Sequence, residues 1–548
     1  MLFRLVQTLT ISMLFTSRVI IGTRTTSAWR SSVRRTLSMG SGSLYPYTAY
    51  IALGSNLGDR CANLHAALRS LERLGSLDAT SFLYESLPMY VSEQPRFLNA
   101  VVQLNTALDP EQLLPALQTI EQQVGRTKTY RNGPRVLDLD VLFCTSVNSS
   151  SLTSLVVDSP VLQIPHPRIY ERAFVLQPLA DLNPSLLVPS SGKAAGLKPA
   201  RQLLAELPWS ERNSLRRVVP LGTEKDPEGK DARTTRLVPM CGWEFNAASA
   251  EGSSSAFQRP RDCRVLVQGI LNVTPDSFSD GGAYGGYVDA AVKCALDMLR
   301  AGADIIDVGG ESTRPGATPV GPDEEQRRVL PVISKLVERC VAEGLPLAVS
   351  IDTRNAATAA LALDAGASIV NDVTAGRHDS AMLTVAAQRQ VPMVFMHSRA
   401  DPQTMDSPAH TQYNNLVHDV CDELQSSLTA ADRVLPRWLQ VVDPGLGFAK
   451  TSEQSRLLLH PASIGMMRTR LSGRPILIGA SRKRFLAPAS TSLGGSAGSK
   501  TVSDLAARDD ATNGANALAV LGGASIVRVH NVAAARHAVD FVHSTLSS

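Results

Sequence analysis

Eight times between residue 264 and the end of the chain, a short apolar run closes on a polar residue and is followed by a stretch of helical periodicity; the runs are 265–273, 304–309, 345–352, 368–373, 391–397, 439–444, 475–480 and 525–530. Buried parallel strands read as near-continuous apolar runs, and each needs a crossover helix to reach the next. Eight such units over about 285 residues match the size and alternation of a (β/α)8 TIM barrel better than an open sheet. A barrel builds its site at the C-terminal ends of its strands, so the polar residues that end the runs are the candidates. They are Asn272, the segment 311–316, Asp352, Asn371 and Asp372, His397, Asp443, the triplet Ser481, Arg482 and Lys483, and Arg528 with His530. Any one of them reads equally well as a cap or a loop hydrogen bond. Their shared placement describes one pocket with a slot for a polar ring, served by acids and amides, and a slot for an anion, served by Arg, Lys and His.

A chain of 548 residues is too long for one core, so the barrel needs company. A first region, 45–188, opens with the apolar strand at Tyr50 to Leu53, a Gly54-Ser55-Asn56-Leu57-Gly58-Asp59 turn and a periodic helix over 60–74. Segments 97–104 and 137–143 read as strands, and 110–124 as a helix whose apolar side carries Leu113, Leu114, Leu117 and Ile120. The expected fold is an α+β sandwich. Between them, 189–262 is rich in Gly, Ser, Pro and charge and reads as a linker, partly ordered at 203–209 and 237–245. The barrel domain is 263–548, interrupted by a Ser/Gly-rich surface insertion over 488–503.

The first 58 residues contain no Asp or Glu, while Arg4, Arg18, Arg24, Arg30, Arg34 and Arg35 are spread among hydroxyl and apolar residues. That is the pattern of an organellar transit segment, placed at 1–44, and it points to mitochondrial import. Plastid import, secretion, an untargeted tail and a cytosolic form begun at Met39 are the alternatives. The apolar run 5–15 is shorter than the roughly 20 residues a bilayer span takes. With 44% hydrophobic and 19% charged residues and a net charge of +4, the chain has neither the profile of a polytopic membrane protein nor a basic footprint for nucleic acid. Seven scattered cysteines without CxxC spacing read as reduced thiols.

The strongest local signal in the first region is Asp138 and Asp140. Two apart on a strand, they project from one face, where paired carboxylates suit magnesium bound together with nucleotide phosphates. Arg126, Lys128, Arg131 and Arg135, just upstream, suit phosphate oxygens.

With Ala52 to Asp59, Phe97-Leu98-Asn99-Ala100, Ile120-Glu121, Gly133-Pro134-Arg135, Ile164-Pro165-His166-Pro167 and Arg172-Ala173-Phe174 in order around that pair, the region resembles hydroxymethyldihydropterin pyrophosphokinase across nearly its whole length. The resemblance implies a ferredoxin-like α+β core that moves pyrophosphate from ATP to 6-hydroxymethyl-7,8-dihydropterin. It further implies that Asp138 and Asp140 bind magnesium ions, that Asn99 hydrogen-bonds the pterin between Phe97 and Phe174, that Gln118, Glu121, His166 and Arg172 contact ATP, and that Arg135 lies by the transferring group. Asn132 stands where the family has Trp, and the basic loop before it is about one residue short.

The second region, through the run Gly269 to Gly282, Asp352-Thr353, Asp443 to Phe448, Ser481-Arg482-Lys483 and Arg528-Val529-His530, resembles dihydropteroate synthase. That resemblance implies that Asp352, Asn371 and Asp443 hold the pterin, that Lys483 lies against its ring, and that Asn272, Arg528 and His530 bind pyrophosphate with magnesium. Thr313 and Arg314 would join the 275–282 loop around p-aminobenzoate, and the barrel would form a homodimer or a higher assembly. Asn531 stands where many members have Asp; both side chains can accept a hydrogen bond. The two resemblances together imply a two-step folate-pathway enzyme. The other reading is a working synthase that carries a catalytically weak pterin-binding or assembly module.

Overall fold

The computed structural model describes residues 45–148, 151–189, 196–225, 233–240, 264–274, 283–311, 320–400, 404–486 and 502–547, apart from 90, 92, 128, 129, 131, 132 and 406. The targeting segment, the surface insertion, Lys128, Arg131, Asn132, Thr313, Arg314 and the 275–282 loop lie outside these residues.

The first domain is built on β1 (Tyr47–Ser55), α1 (Arg60–Leu71), β2 (Gly75–Thr80), β3 (Leu83–Ser86), β4 (Phe97–Thr106), α2 (Pro110–Val124) and β5 (Asp138–Asn148). β1 lies between β4 and β5, antiparallel to both, and β4 pairs on its far side with β2 and β3. With β2 and β3 counted as one interrupted strand along β4, this βαββαβ order is the ferredoxin-like arrangement. Its helices start where the sequence supplies caps. The Asp109 carboxylate accepts from Gln112 N at 2.9 Å, and the Gln112 side chain reaches back to close a capping box. Leu113, Leu117 and Ile120 then face the sheet, fully buried.

The barrel strands are Leu266–Asn272, Ile305–Gly309, Val349–Asp352, Ile369–Asp372, Met393–Met396, Gln440–Asp443, Leu477–Ile478 and Ile526–Val529, all parallel. The ring is completed by the parallel bridge between Val442 and Ile476. All eight intervals expected from sequence contain their strand, and because the strands are parallel their C-terminal ends lie on one side of the barrel. The five described cysteines are free, and Cys61, Cys144, Cys340 and Cys421 are buried.

The expectation of a linker ordered only at 203–209 and 237–245 is corrected. Strands Arg216–Lys225 and Arg233–Pro239 form an antiparallel hairpin, and Arg216 to Val218 pair with β3, so the segment extends the first domain's sheet. One face of the hairpin covers the barrel. Val219, Leu221, Val238 and Met240 pack on a layer contributed by every barrel strand or the residue just before it: Leu266, Ile305, Ala348, Ile369, Val394, Val441, Leu477 and Ile526. The hairpin therefore stoppers the N-terminal end of the barrel, and each of its four plug residues contributes roughly 1.5–3 kcal/mol of apolar burial. Averaging composition over 189–262 hid the alternation in Val218-Val219-Pro220-Leu221 and Leu237-Val238-Pro239-Met240. Direct contacts add to the joint: Trp438, 1% exposed, donates its indole N–H to His65 Nε2 at 3.0 Å, Arg437 N donates to Thr80 Oγ1 at 2.8 Å, and Asp59 Oδ2 accepts from Thr235 N at 2.8 Å.

Gly222 makes the plug possible. Its φ is +72°, and a Cβ there would lie 2.0 Å from the Leu347 carbonyl oxygen. Gly222→Ala is expected to destabilise the full chain by about 2–4 kcal/mol, from a left-handed backbone plus forced repacking. The readout is the urea midpoint, and an unchanged midpoint would show that the turn is not wedged against the barrel.

Candidate active sites

The antiparallel register decides the first cleft. Gly54, near the end of β1, sits opposite both Asn99 and Asp138, and Ala52 sits opposite Asp140. The start of β4 and the start of β5 are thereby brought to one edge of the sheet. A cleft opens there, lined by Phe97, Asn99, Arg135, Asp138 and Asp140, with His166, Arg172 and Phe174 arriving from the segment after β5. Asn99 is held in place: its Nδ2 donates to Tyr84 O at 3.1 Å and to Ser86 Oγ at 3.0 Å. The Arg172 guanidinium lies 5.5 Å from the centre of the Phe174 ring.

The cleft concentrates charge of both signs. Arg135 Nη1 lies 2.6 Å from Asp138 Oδ2, and Arg126 Nη1 lies 3.0 Å from Asp138 Oδ1. Burial, with Asp138 alongside, pushes the Asp140 carboxyl up to about 6 against the pull of Arg172 and Arg135. Burial also lowers His166, helped by Arg172 and Arg168, so its ring is kept neutral. Of the expected ATP contacts, His166 and Arg172 line the cleft. Glu121 does not; its Oε1 accepts from Leu139 N at 2.8 Å and pairs with Arg126, behind the strand that carries the Asp pair. Gln118 is exposed on α2, about one helical turn away.

The second site lies at the C-terminal mouth of the barrel. Arg528, from the last strand, reaches across the mouth, with Nη2 at 2.6 Å from Asp352 Oδ2 and Nε at 2.6 Å from Asp307 Oδ2. Asn371 Nδ2 donates to the same Asp307 oxygen at 3.1 Å. Asp443 Oδ1 accepts from Gly445 N at 2.7 Å, in a turn that only glycine fits: φ is +67°, and a Cβ would meet the His397 carbonyl oxygen at 2.0 Å. Lys483 donates to the Leu446 carbonyl and lies 4.7 Å from the centre of the Phe448 ring. His530 Nδ1 is 3.0 Å from Ser481 Oγ. Asn272 ends the first strand, half-buried.

Burial sets the electrostatics of this mouth. It raises Asp352 to about 7 against Arg528, with Asp307 adding to the rise, and it raises Asp443 against Lys483. It lowers Lys483 to about 8, with Asp443 opposing. It also works against the Arg528 charge, but Asp307 and Asp352 outweigh it and hold the guanidinium ionised.

Three strand-end residues serve the scaffold. Asp372 spends both oxygens on Thr374 and Gly376, Arg482 pairs with Asp509 at 2.7 Å, and His397 turns to Glu423. Asp307 is the residue that strand-end reasoning missed. It lies in mid-strand, wholly buried, and joins Arg528 to Asn371. The available signal was an acid inside the apolar run Ile305-Ile306-Asp307-Val308, since a buried charge requires a partner.

Taken together, the first cleft can hold a flat ring beside a polyphosphate, and the barrel mouth can hold a flat polar ring beside an anion that leaves. Comparison with known proteins agrees with this division. Residues 50–184 match the family described as 7,8-dihydro-6-hydroxymethylpterin-pyrophosphokinase, and residues 268–530 match the pterin binding enzyme family. The chain is 38% identical over 499 residues to the "Folate synthesis bifunctional protein, mitochondrial" of Pisum sativum, covering 88% of this chain and 86% of that one. It is 40% identical over 274 residues to the dihydropteroate synthase of Bacillus subtilis, covering 49% of this chain and 84% of that one. In fold it is similar to the crystal structure of wild-type Plasmodium falciparum HPPK-DHPS with pteroate, with a TM-score of 0.65, 20% identity, and coverage of 91% of this chain and 97% of that one.

Proposed function

Because the chain belongs to the family of bifunctional folate-synthesis proteins, and so is an enzyme with a pyrophosphokinase domain followed by a dihydropteroate synthase barrel, we propose how its residues divide the two reactions. In the first cleft Phe97 and Phe174 sandwich 6-hydroxymethyl-7,8-dihydropterin, and Asn99, held by Tyr84 and Ser86, reads its polar edge. His166 and Arg172 face the ATP phosphates, and Arg135 sits by the group in transfer. Glu121 acts at one remove, anchoring the strand of the Asp pair through Leu139 N, with Gln118 at the outer edge of the nucleotide. The donor set fits magnesium: two carboxylates on one strand face, the inner one strained by burial and by its neighbour, form a site that an added cation would relieve. Asp138 and Asp140 would hold it, and when bound it offsets the charge of the nucleotide phosphates.

At the barrel mouth Asp352, Asn371 and Asp443 take the donor-rich edge of the pterin, and Lys483 lies along its face. Arg528, His530 and Asn272 receive the pyrophosphate, and Asn272 would hold a magnesium ion accompanying it, which would offset part of the leaving group's charge. The bond from the pterin methylene to the pyrophosphate oxygen breaks first, and its electron pair leaves with pyrophosphate towards Arg528. The carboxylates of Asp352 and Asp443 hold the cationic methylene until the arylamine nitrogen of p-aminobenzoate, seated by Thr313 and Arg314, attacks it. Catalysis here is leaving-group stabilisation plus positioning. The observation that carries the reading is the pairing of carboxylates with arginine in each cleft: Asp138 with Arg135, beside Asp140, and Asp352 and Asp307 with Arg528. The mature chain belongs in mitochondria, the compartment that the pea relative's name gives for that protein, and pairs with a second copy through the barrel.

The test supplies the full chain with ATP, magnesium, 6-hydroxymethyl-7,8-dihydropterin and p-aminobenzoate, beside a reaction given pre-made pterin pyrophosphate. Dihydropteroate is expected from both. Product from the pre-made pyrophosphate alone would reduce the first domain to a binding module, and product from neither would refute the assignment of both sites.

A further inference from the structure

Behind the Asp443 side of the barrel mouth runs a chain of buried polar contacts to which the proposed reaction gives no part. His397, just past the fifth barrel strand, is 0% exposed, and Lys450, seven residues after Asp443, is 5% exposed. Lys450 Nζ lies 2.8 Å from His397 Nδ1 and donates to the Phe448 carbonyl at 2.9 Å. His397 Nε2 lies 3.0 Å from Glu423 Oε2. The roles are fixed by elimination. A carboxylate only accepts, so Nε2 carries the ring proton and donates to Glu423; Nδ1 of the neutral ring then has its lone pair free and accepts from Lys450. Burial and the Lys450 charge keep that ring neutral by lowering it to about 4, against Glu423 and alongside Arg377.

The same network grips the next carbonyl. Arg399 lies 2.6 Å from Glu423 Oε1 and 3.8 Å from the centre of the Tyr413 ring, and the Tyr413 hydroxyl donates to the Ala449 carbonyl at 2.9 Å. Residues 443–450 are therefore pinned at successive carbonyls: Leu446 by Lys483, Phe448 by Lys450, Ala449 by Tyr413. The Phe448 ring is the face on which Lys483 rests. Lys450 is an expensive choice for so buried a place. Burial brings its ammonium down to about 7, Asp443 and Glu423 oppose that, and Lys483 and Arg399 reinforce it. A methionine or leucine would fill the volume without that penalty, so the ammonium has a task beyond packing.

We propose that Lys450, oriented by His397 and Glu423, is a positioning residue of the synthase site: it fixes the 443–450 turn so that Asp443 and Lys483 meet the pterin at the correct height. This rests on the assignment of Asp443 and Lys483 to the pterin.

The test is steady-state dihydropteroate synthesis by the full chain from pre-made pterin pyrophosphate, with thermal midpoints recorded alongside. K450M is expected to raise KM for the pterin pyrophosphate about tenfold to a hundredfold, the equivalent of one charge-assisted hydrogen bond, while KM for p-aminobenzoate stays within about twofold. K450R, which keeps a cationic donor, is expected to recover most of that loss even if K450M proves unstable. Equal rises in both KM values, an unchanged pterin KM in K450M, or a K450R no better than K450M would overturn the proposal. D443N serves as the control on the underlying assignment. If D443N leaves the pterin KM unchanged, it is the placement of the pterin that fails; if D443N raises it and K450M does not, the positioning role alone fails.

Discussion

Arg528→Gln is expected to lower dihydropteroate formation from pre-made pterin pyrophosphate by about 10³-fold, with ATP-dependent pyrophosphorylation by the same protein unchanged. Two effects act together. Arg528 is the cation of a buried cluster, 2.6 Å from each of Asp307 and Asp352, and removing one partner of a buried pair costs about 3–5 kcal/mol because the remaining charge is left uncompensated. Loss of a preorganised donor to a developing anion costs roughly a further 10²–10³-fold where it acts in the transition state, though the two do not add fully because they share the same side chain. Asp352, which burial already raises to about 7 with Arg528 present, would lose the neighbour that keeps it partly ionised and would offer a neutral carboxyl to the pterin. Arg528→Lys should rescue little, since one ammonium cannot make the forked contact to two carboxylates. The measurement is kcat/KM on the pre-made pyrophosphate, and a loss below about tenfold would show that the leaving group is stabilised elsewhere.

Asp140→Asn should have the mirror effect. Pyrophosphate transfer from ATP is expected to fall about 10²–10³-fold, on the scale of removing a principal electrostatic group from a phosphoryl-transfer site, while the barrel's reaction is untouched. Asp140 is the cleaner choice of the pair. Asp138 is also held by Arg126 and Arg135, so changing it would release both arginines at once. AMP release in the presence of the pterin reads the first step, and synthesis from pre-made pyrophosphate confirms that the remainder of the chain is intact. If AMP release survives in Asp140→Asn, the cation and phosphates must be held by other residues.

What could be foreseen here followed from rules that act locally. Parallel strands of one barrel end on the same side, so Asp352, Asn371, Asp443 and Arg528 could be grouped from sequence although up to 176 residues separate contacting members. The apolar spacing of Leu113, Leu117 and Ile120 marked α2. Contacts across the mouth were hidden, because strand periodicity says which face a residue takes and nothing about how deep its partner lies. Asp307 escaped for that reason, being in mid-strand, and so did the link from Lys450 to Glu423, which joins a loop to a helix. Glu121 was read as a nucleotide contact, and the fold turns it towards Leu139 N, behind the strand. The hairpin at 216–239 was lost to a composition average in which charged turns outweighed four plug residues.

That hairpin also closes a route. With one end of the barrel stoppered and a layer of apolar side chains behind the stopper, the described residues leave no passage along the barrel axis to the mouth that carries Arg528. Any transfer of pterin pyrophosphate from the first cleft to the second is therefore expected to run around the outside of the barrel and to enter from the far end.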